Sequence, residues 1–600
     1  MRKVLYSGNE AIARGAYEAG VRVAVGYPGT PSSEILENIA KLYKEDIYAE
    51  WSANEKVAMD VAAGAAYSGV RTIVTTKQVG MNVLSDSLFY LVYTGIEAGV
   101  VVVTADDPGM FSSQNEQDNR WYARIGKIPM LEPCDSQESK DMVALGMELS
   151  EKFNTPVILR TGMRISHSKS IVNLGEREKN IKSAKEFPRD IKKYNCNCIY
   201  SREKRQVIAK RLKDLAQWAE TAAINSITWG DRKLGIISSG IVSEYAREVF
   251  PNASILKLGM VYPLPEKKIR DFARQVDEVV VIEELDPFLE EQIKAMGISV
   301  RGKDIFLAYD ELLPSTLREQ AVAAKLLPAE ELPKQPNFDI GELPSRNAVF
   351  CQGCPHRSTF YLLSKLKVPV TGDIGCYNLG CLPPFNAQHT MGSMGASIGQ
   401  LHGVSAAGGP ERAVCTIGDS TFFHAGLPAL ANMVHNNMRG VIIILDNETT
   451  AMTGHQDHPG MDKTLMGKPT AKIDIENLCL AMGVKKVKKV NAFHVKEVEA
   501  SLKECLAWND GPAVLIPTGE CIFVARNPKQ AYAVDANKCI ACGNCTKAGC
   551  PAIIRIDEIN PKTGKRKMGI NSVICNGCSV CSQICPTGAI YQTGRKEAAE

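Results

Sequence analysis

The chain has 600 residues, 45% of them hydrophobic, with 70 basic against 67 acidic side chains and a net charge of +3. So even a balance argues against a dedicated nucleic-acid surface, and no apolar run approaches the ~18 residues of a membrane span. The start, Met1-Arg2-Lys3-Val4-Leu5, leads into polar Ser7-Gly8-Asn9-Glu10 without the apolar core of a signal peptide, and nineteen cysteines, many closely spaced, suit a reducing cytoplasm better than a disulfide scaffold.

At about 150 residues per domain the length suggests roughly four domains. Residues 1–165 alternate short apolar strands with helices. Val21-Arg22-Val23-Ala24-Val25, Thr72-Ile73-Val74-Thr75-Thr76, Gly99-Val100-Val101-Val102-Val103 and Pro156-Val157-Ile158-Leu159-Arg160 read as buried parallel strands. An Ala/Gly-rich helix is expected at 54–68, opened by Glu55, a position where the helix dipole alone would favour a carboxylate. Residues 166–230 are charged and weakly patterned, a connecting segment with some helix. A second α/β unit, 231–330, contains Leu234-Gly235-Ile236-Ile237-Ser238 and Glu278-Val279-Val280-Val281-Ile282. A Pro- and Glu-rich linker near 327–346 precedes a third unit, 347–530, with strands at 413–417 and 441–445. The fold class is α/β, multidomain, with parallel sheets.

Residues 531–600 close the chain with two cysteine runs, Cys539-x2-Cys542-x2-Cys545-x4-Cys550-Pro551 and Cys575-x2-Cys578-x2-Cys581-x3-Cys585-Pro586. This is the spacing by which thiolates hold two 4Fe–4S cubes, the cysteine before proline crossing to the other cube. Cys539, Cys542, Cys545 and Cys585 are expected on one cluster, and Cys575, Cys578, Cys581 and Cys550 on the other. Zinc also binds Cys-x2-Cys pairs but needs no trailing Cys-Pro. Four residues, rather than three, precede Cys550, as a small local insertion would leave.

Gly418-Asp419-Ser420 follows a strand, and Asp446-Asn447 ends the next one. This resembles the thiamine diphosphate fingerprint. A carboxylate and an amide oxygen at adjacent strand ends can share one hard divalent cation, Mg2+ or another, that bridges two phosphates at the carboxyl edge of a sheet. The resemblance implies the Thr449 carbonyl as a third ligand. The glycine-rich helix start at 391–399, with Gly392 and Gly395, would let backbone approach a ligand closely. Thiamine enzymes also need a carboxyl group on the aminopyrimidine ring. Glu55 sits where the pyrimidine-binding domain of such enzymes carries it, which implies close apposition of domains or subunits.

Cys351-x2-Cys354, in Cys351-Gln352-Gly353-Cys354-Pro355-His356-Arg357, is followed by Cys376 and, far downstream, Cys521. The arrangement resembles the cluster nearest the cofactor in 2-oxoacid:ferredoxin oxidoreductases, with Cys381 as an alternative ligand and ordinary buried thiols as the plainer reading. Cysteines 134, 196, 198, 415, 479 and 505 are treated as structural. Together with Tyr27-Pro28-Gly29-Thr30-Pro31-Ser32, Asp106-Asp107-Pro108-Gly109 and Ser112-Ser113-Gln114-Asn115-Glu116-Gln117-Asp118-Asn119-Arg120, these motifs resemble the indolepyruvate ferredoxin oxidoreductase alpha subunits over nearly the whole chain.

That resemblance implies a pyrimidine-binding domain at 1–165, a transketolase C-terminal-like domain at 231–330, a diphosphate-binding domain at 347–530 and a bacterial-type 2×(4Fe–4S) ferredoxin-like domain at 531–600. It implies CoA-dependent oxidative decarboxylation of arylpyruvates, indolepyruvate or phenylpyruvate, with electrons passed to ferredoxin. It also implies a separate beta subunit in an α2β2 assembly. Thr30 would lie near the substrate carboxylate. Arg120 is either a carboxylate clamp, since guanidinium binds carboxylate bidentately, or a loop surface charge. Rival readings are an oxidoreductase for another 2-oxoacid, a non-oxidative thiamine decarboxylase, and an electron-transfer subunit that binds no substrate.

Overall fold

The computed structural model describes residues 2–181, 183–184, 189–332, 341–344, 347–409, 413–525 and 529–594. Of the linker expected near 327–346, positions 333–340 and 345–346 therefore lie outside the described residues. The chain forms two compact units, one of Met1–Asp339 with Leu465–Gly467, the other of Ile340–Thr464 with Lys468–Glu600.

The first unit is built on a seven-stranded sheet in the order Met260–Tyr262, Met130–Leu131, Val157–Gly162, Val100–Asp106, Thr72–Lys77, Val23–Gly26, Tyr48–Trp51. Neighbours run parallel except at the Met260–Tyr262 edge. Val100–Asp106 is buried at every position, because helices cover both faces; hence its unbroken apolar run instead of an alternation. Val100 and Val102 pack with Ala58, Met59 and Ala62 of Glu55–Tyr67 and with Leu84 and Leu88 of Gln78–Thr94. Val101 and Val103 pack with Ile12, Ile35, Ile39, Met142 and Met147 on the opposite layer. Asn54 caps Glu55–Tyr67, its side-chain oxygen accepting from the Val57 N–H at 2.9 Å, so Glu55 is fixed in the first turn.

Within the stretch read as connecting, Cys198–Thr221 is a helix that buries Ile208, Arg211, Leu215 and Ala219. Arg211 donates to the Val92 carbonyl at 2.8 Å and so ties this helix to Gln78–Thr94. A second sheet runs Glu278–Ile282, Asp231–Ser239, Ala253–Leu258, Ser226–Thr228, parallel except for the last pair.

The other unit holds a five-stranded, wholly parallel sheet in the order Val370–Thr371, Val414–Gly418, Gly440–Leu445, Pro512–Thr518, Lys486–Asn491. Its central strands are β-branched runs such as Ile442-Ile443-Ile444, all buried. Register pairs Gly418 with Leu445, so Asp419 and Asp446 leave the carboxyl edge side by side. The terminal module carries two antiparallel ribbons, Tyr532–Val534 with Ile590–Gln592 and Ile553–Ile559 with Arg566–Ile570. Its four-residue spacer before Cys550 ends on Gly549, whose φ of +61° suits glycine and whose missing side chain leaves room for Phe385.

Candidate active site

Asp419, Ser420, Asn447 and Thr449 are all buried at the carboxyl edge of the five-stranded sheet. The Asn447 side-chain oxygen stands 2.7 Å from the Thr449 carbonyl oxygen and 3.3 Å from an Asp419 carboxylate oxygen. Turned over, the amide would donate to both. The Asn447 amide, the Thr449 carbonyl and the Asp419 carboxylate thus meet at one point of the sheet edge, where the amide can satisfy both oxygens or turn its own oxygen toward a shared cation. The two separations from Asn447, 2.7 and 3.3 Å, bracket the edge of the oxygen octahedron around Mg2+, about 3 Å for metal–oxygen bonds of about 2.1 Å. The donor set therefore fits a hard divalent ion. No three His, Cys, Asp or Glu side chains converge on one ion among the described residues; this set uses an amide and a backbone carbonyl instead. Burial, then the neighbouring Asp419, pushes Asp446 up to about 6. For Asp419 burial works the other way from the net result: His458 outweighs it and holds that carboxyl below its usual range.

His458 is a residue that motif spacing does not reveal. Its Nε2 stands 3.2 Å from an Asp419 oxygen. The Gly460 N–H donates to its Nδ1 at 3.1 Å, so a neutral ring carries its proton on Nε2, facing Asp419. Thr450 donates to Ser420 at 2.9 Å. Gly395, with φ of +84°, begins Ala396–Ala406, and a side chain there would strike Ala425. Gly392 is similarly crowded by Ala396 and Gln400. Between strand and helix a π-helical turn, Phe422–Gly426, follows Asp419–Thr421.

The same unit brings twelve cysteines into three neighbourhoods, each wider than a single-ion site. Burial pushes the Cys354 thiol up to about 12, with Cys376 and Cys351 adding to it. Burial, then Cys521 and Cys351, pushes Cys376 up to about 11. Burial also raises Cys521, which feels both Cys351 and the Asp419 carboxylate. These four thiols thus share one neighbourhood beside Asp419, whereas Cys381 is exposed at the far end of the short helix Cys376–Cys381. Burial and then Cys550 and Cys575 raise Cys578, and Cys581 is raised by burial and by Cys578, Cys550 and Cys575. Cys539, Cys542, Cys545 and Cys585 line a single cavity. The sets abut. Fully buried Arg357 donates to the Ala548 carbonyl at 2.6 Å and to the Cys351 carbonyl at 2.5 Å. Gly353 lies so close to Asn576 that no side chain would fit between Cys351 and Cys354.

In the first unit, Glu55 is 7% exposed. A Cβ on Gly80 would sit 2.6 Å from its Oε1 and 2.8 Å from its Cγ, so the carboxylate passes over a bare stretch of Gln78–Thr94. Thr30 follows Val23–Gly26 at the same sheet edge. Its carbonyl accepts from the Ser112 hydroxyl at 3.1 Å, and Lys77 donates to the Ser112 carbonyl at 2.5 Å. Burial pushes Lys77 down to about 8. Arg120 departs from both sequence readings. It is 1% exposed, chelated by Asp118 at 2.9 and 3.0 Å from Nε, paired with Glu283 at 2.5 Å, and donates to the carbonyls of Glu284 and Asp286. A guanidinium so occupied is neither a surface charge nor free to clamp a substrate carboxylate; it joins the loop after Val100–Asp106 to the second sheet.

Family models match along most of the chain. Residues 14–222 fit the thiamine diphosphate-binding domain of pyruvate flavodoxin/ferredoxin oxidoreductases, 238–306 an indolepyruvate oxidoreductase domain, 373–516 the C-terminal binding domain of thiamine pyrophosphate enzymes and 538–589 a 4Fe–4S dicluster domain. The indolepyruvate oxidoreductase subunit IorA of Methanothermobacter thermautotrophicus is 40% identical over 99% of this chain and 98% of its own. The chain belongs to the indolepyruvate oxidoreductase IorA family. Other IorA subunits agree: that of Archaeoglobus fulgidus is 37% identical over 98% of this chain and 97% of its own, and that of Pyrococcus horikoshii 39% over 99% and 98%. As a member, the chain is a thiamine diphosphate-dependent 2-oxoacid oxidoreductase with an iron–sulfur dicluster domain. Among its described residues no helix is long and apolar enough to cross a membrane.

Proposed function

We propose that the chain is the catalytic alpha subunit of a cytoplasmic complex that converts arylpyruvates, indolepyruvate and phenylpyruvate among them, to aryl-acetyl-CoA and CO2. Per turnover, one 2-oxoacid and one CoA would yield one acyl-CoA, one CO2, one proton and two electrons, the electrons leaving singly to ferredoxin. One observation supports the redox reading above a non-oxidative decarboxylase: the Cys521 N–H donates to the Asn447 carbonyl at 3.1 Å, so a thiol stands beside the diphosphate site. Names shared with full-length relatives support the aryl substrate.

In this reading Asp419, Asn447 and the Thr449 carbonyl hold a divalent cation, and Gly418, Ser420, Gly392 and Gly395 shape the seat of the diphosphate. Bound thiamine diphosphate would supply the electron sink that makes loss of CO2 accessible. Glu55 presents its carboxyl group to the aminopyrimidine ring, and Thr30 lies on the substrate side of the same sheet edge. Arg120 takes no part in binding. Cys351, Cys354, Cys376 and Cys521 hold a third 4Fe–4S cluster, the two terminal sets hold the others, and the abutting loops at Gly353 and Arg357 set their order. The domain limits 1–165, 231–330, 347–530 and 531–600 belong to this reading, as do a small beta subunit and an α2β2 assembly. The test is anaerobic: chain, beta subunit, cofactor, CoA and ferredoxin with a panel of 2-oxoacids, following ferredoxin reduction. Arylpyruvates are expected to lead the panel. Aldehyde release without ferredoxin reduction, or a preference for small 2-oxoacids, would overturn the proposal.

A further inference from the structure

In a chain whose charges nearly cancel, the terminal module is locally basic: residues 535–594 carry seven Lys or Arg against three Asp or Glu. Most of that charge sits on one feature, the ribbon Ile553–Ile559 with Arg566–Ile570 and its connecting turn. Lys567 pairs with Glu558, and Arg566 lies 3.8 Å from Asp557. Arg555, Lys562 and Lys565 are exposed and make no ion pair among the described residues. The tip is not a loose loop. The Asn560 side chain accepts from the N–H groups of Lys562 and Thr563 at 2.9 and 3.2 Å, and Gly564 takes the left-handed turn position with φ of +63°. The lysines are thus presented from a fixed turn.

The ribbon also marks the exposed end of the thiol sets. Met568 lines the cavity of Cys539, Cys542, Cys545 and Cys585, and Asn560 donates to the Cys539 carbonyl at 3.2 Å. Cys542 is exposed, as is Ile540 on the same cavity. The other terminal set has no exposed cysteine and faces inward, toward Arg357 and Gly353. Exposed Ile554 and Ile559 add apolar surface to the ribbon. Fixed cations around an apolar patch, beside the terminal thiol set that has an exposed cysteine, form a surface that would steer and seat an oppositely charged partner.

We propose that the Ile553–Ile570 ribbon is the docking surface for a small acidic one-electron carrier protein, seated over the Cys539 set. The proposal rests on the reading of the chain as delivering electrons to a protein acceptor. A cluster held by the Cys539 set would lose one electron per transfer and the carrier would gain it, with no bond made or broken. The test uses the iron-loaded complex with an acidic ferredoxin and, separately, with methyl viologen, a small cation that needs no docking surface. A triple variant Arg555→Glu, Lys562→Glu, Lys565→Glu and its neutral counterpart with Gln at all three positions are compared with the wild type at low and at physiological salt. The expected result is a rise in KM for ferredoxin of about tenfold or more for the Glu variant at low salt, a smaller rise for Gln, and a flatter salt dependence, because screening already removes much of the attraction at about 0.15 M. Iron content and viologen reduction stay at wild-type levels. If both variants match the wild type in ferredoxin KM and salt dependence, the docking surface is refuted and the reading of a protein acceptor stands. If the wild type reduces viologen but not the acidic protein, that reading falls and the docking surface with it.

Discussion

Replacing Gly80 by alanine asks how tightly Glu55 must be held. The added methyl would stand 2.6 Å from Glu55 Oε1 and 2.8 Å from its Cγ, and closer still to the Thr76 hydroxyl. Ordinary contact is about 3.5 Å, so the carboxylate must withdraw by roughly an ångström. Overpacking of this kind costs about 1–3 kcal/mol, and the better helix propensity of alanine returns about 1 kcal/mol, so the fold survives with a net loss of roughly 0–2 kcal/mol. Catalysis should not survive so well. A displacement of that size takes the carboxyl group out of hydrogen-bond reach, and misplacements of ~1 Å are worth about a hundredfold in rate. The assay is single-turnover oxidation of arylpyruvate by the holo-complex, with thermal melting and cofactor affinity measured alongside. The expected outcome is a loss in the single-turnover rate constant of about a hundredfold, with cofactor affinity little changed and melting lowered by no more than that net loss allows. Wild-type turnover in Gly80→Ala would refute the claim that Glu55 acts from this position.

Glu55→Gln should bind cofactor yet barely exchange deuterium at the thiazolium carbon, because an amide fills the space without supplying the proton; wild-type exchange contradicts the role. Asp419→Ala removes the only carboxylate of the oxygen set and should abolish retention of thiamine diphosphate on gel filtration, whereas full occupancy in that variant would dismiss the cation site. Cys351→Ala should lower iron from about twelve to about eight per chain while leaving the terminal pair spectroscopically intact; an unchanged count retires the third cluster. Arg120→Met leaves Glu283 buried without its ion-pair partner and Asp118 with only the 3.9 Å contact to Arg160, and should cost about 3–5 kcal/mol in chemical unfolding, with no selective rise in substrate KM in the fraction that folds; a stable variant with a KM raised tenfold would restore the clamp.

What the sequence could tell was set by short-range geometry. Cysteines two residues apart before a Cys-Pro can only face a common centre. An Asp and an Asn closing consecutive buried strands must emerge at one sheet edge, because parallel strands in register end together. A run of four valines with helices on either side leaves little choice but a strand covered on both faces. Local spacing is silent about groups that meet through packing. Nothing near Arg120 in the chain says that Glu283, far downstream, will consume its charge; a guanidinium looks the same whether it waits for a substrate or closes a buried network. His458 shows no motif, and its Nε2 stands 3.2 Å from Asp419 only because the chain returns past Phe423 with Gly460 donating to the other ring nitrogen. Gly80 reads as one more small residue until the fold lays Glu55 across it. The basic ribbon carries no motif, and only folding sets it beside the Cys539 set, where Cys542 is exposed. The reason is the same in each case: covalent spacing limits which atoms can be neighbours within a turn or a strand pair, whereas burial decides which distant charges must share a partner and which remain free to act.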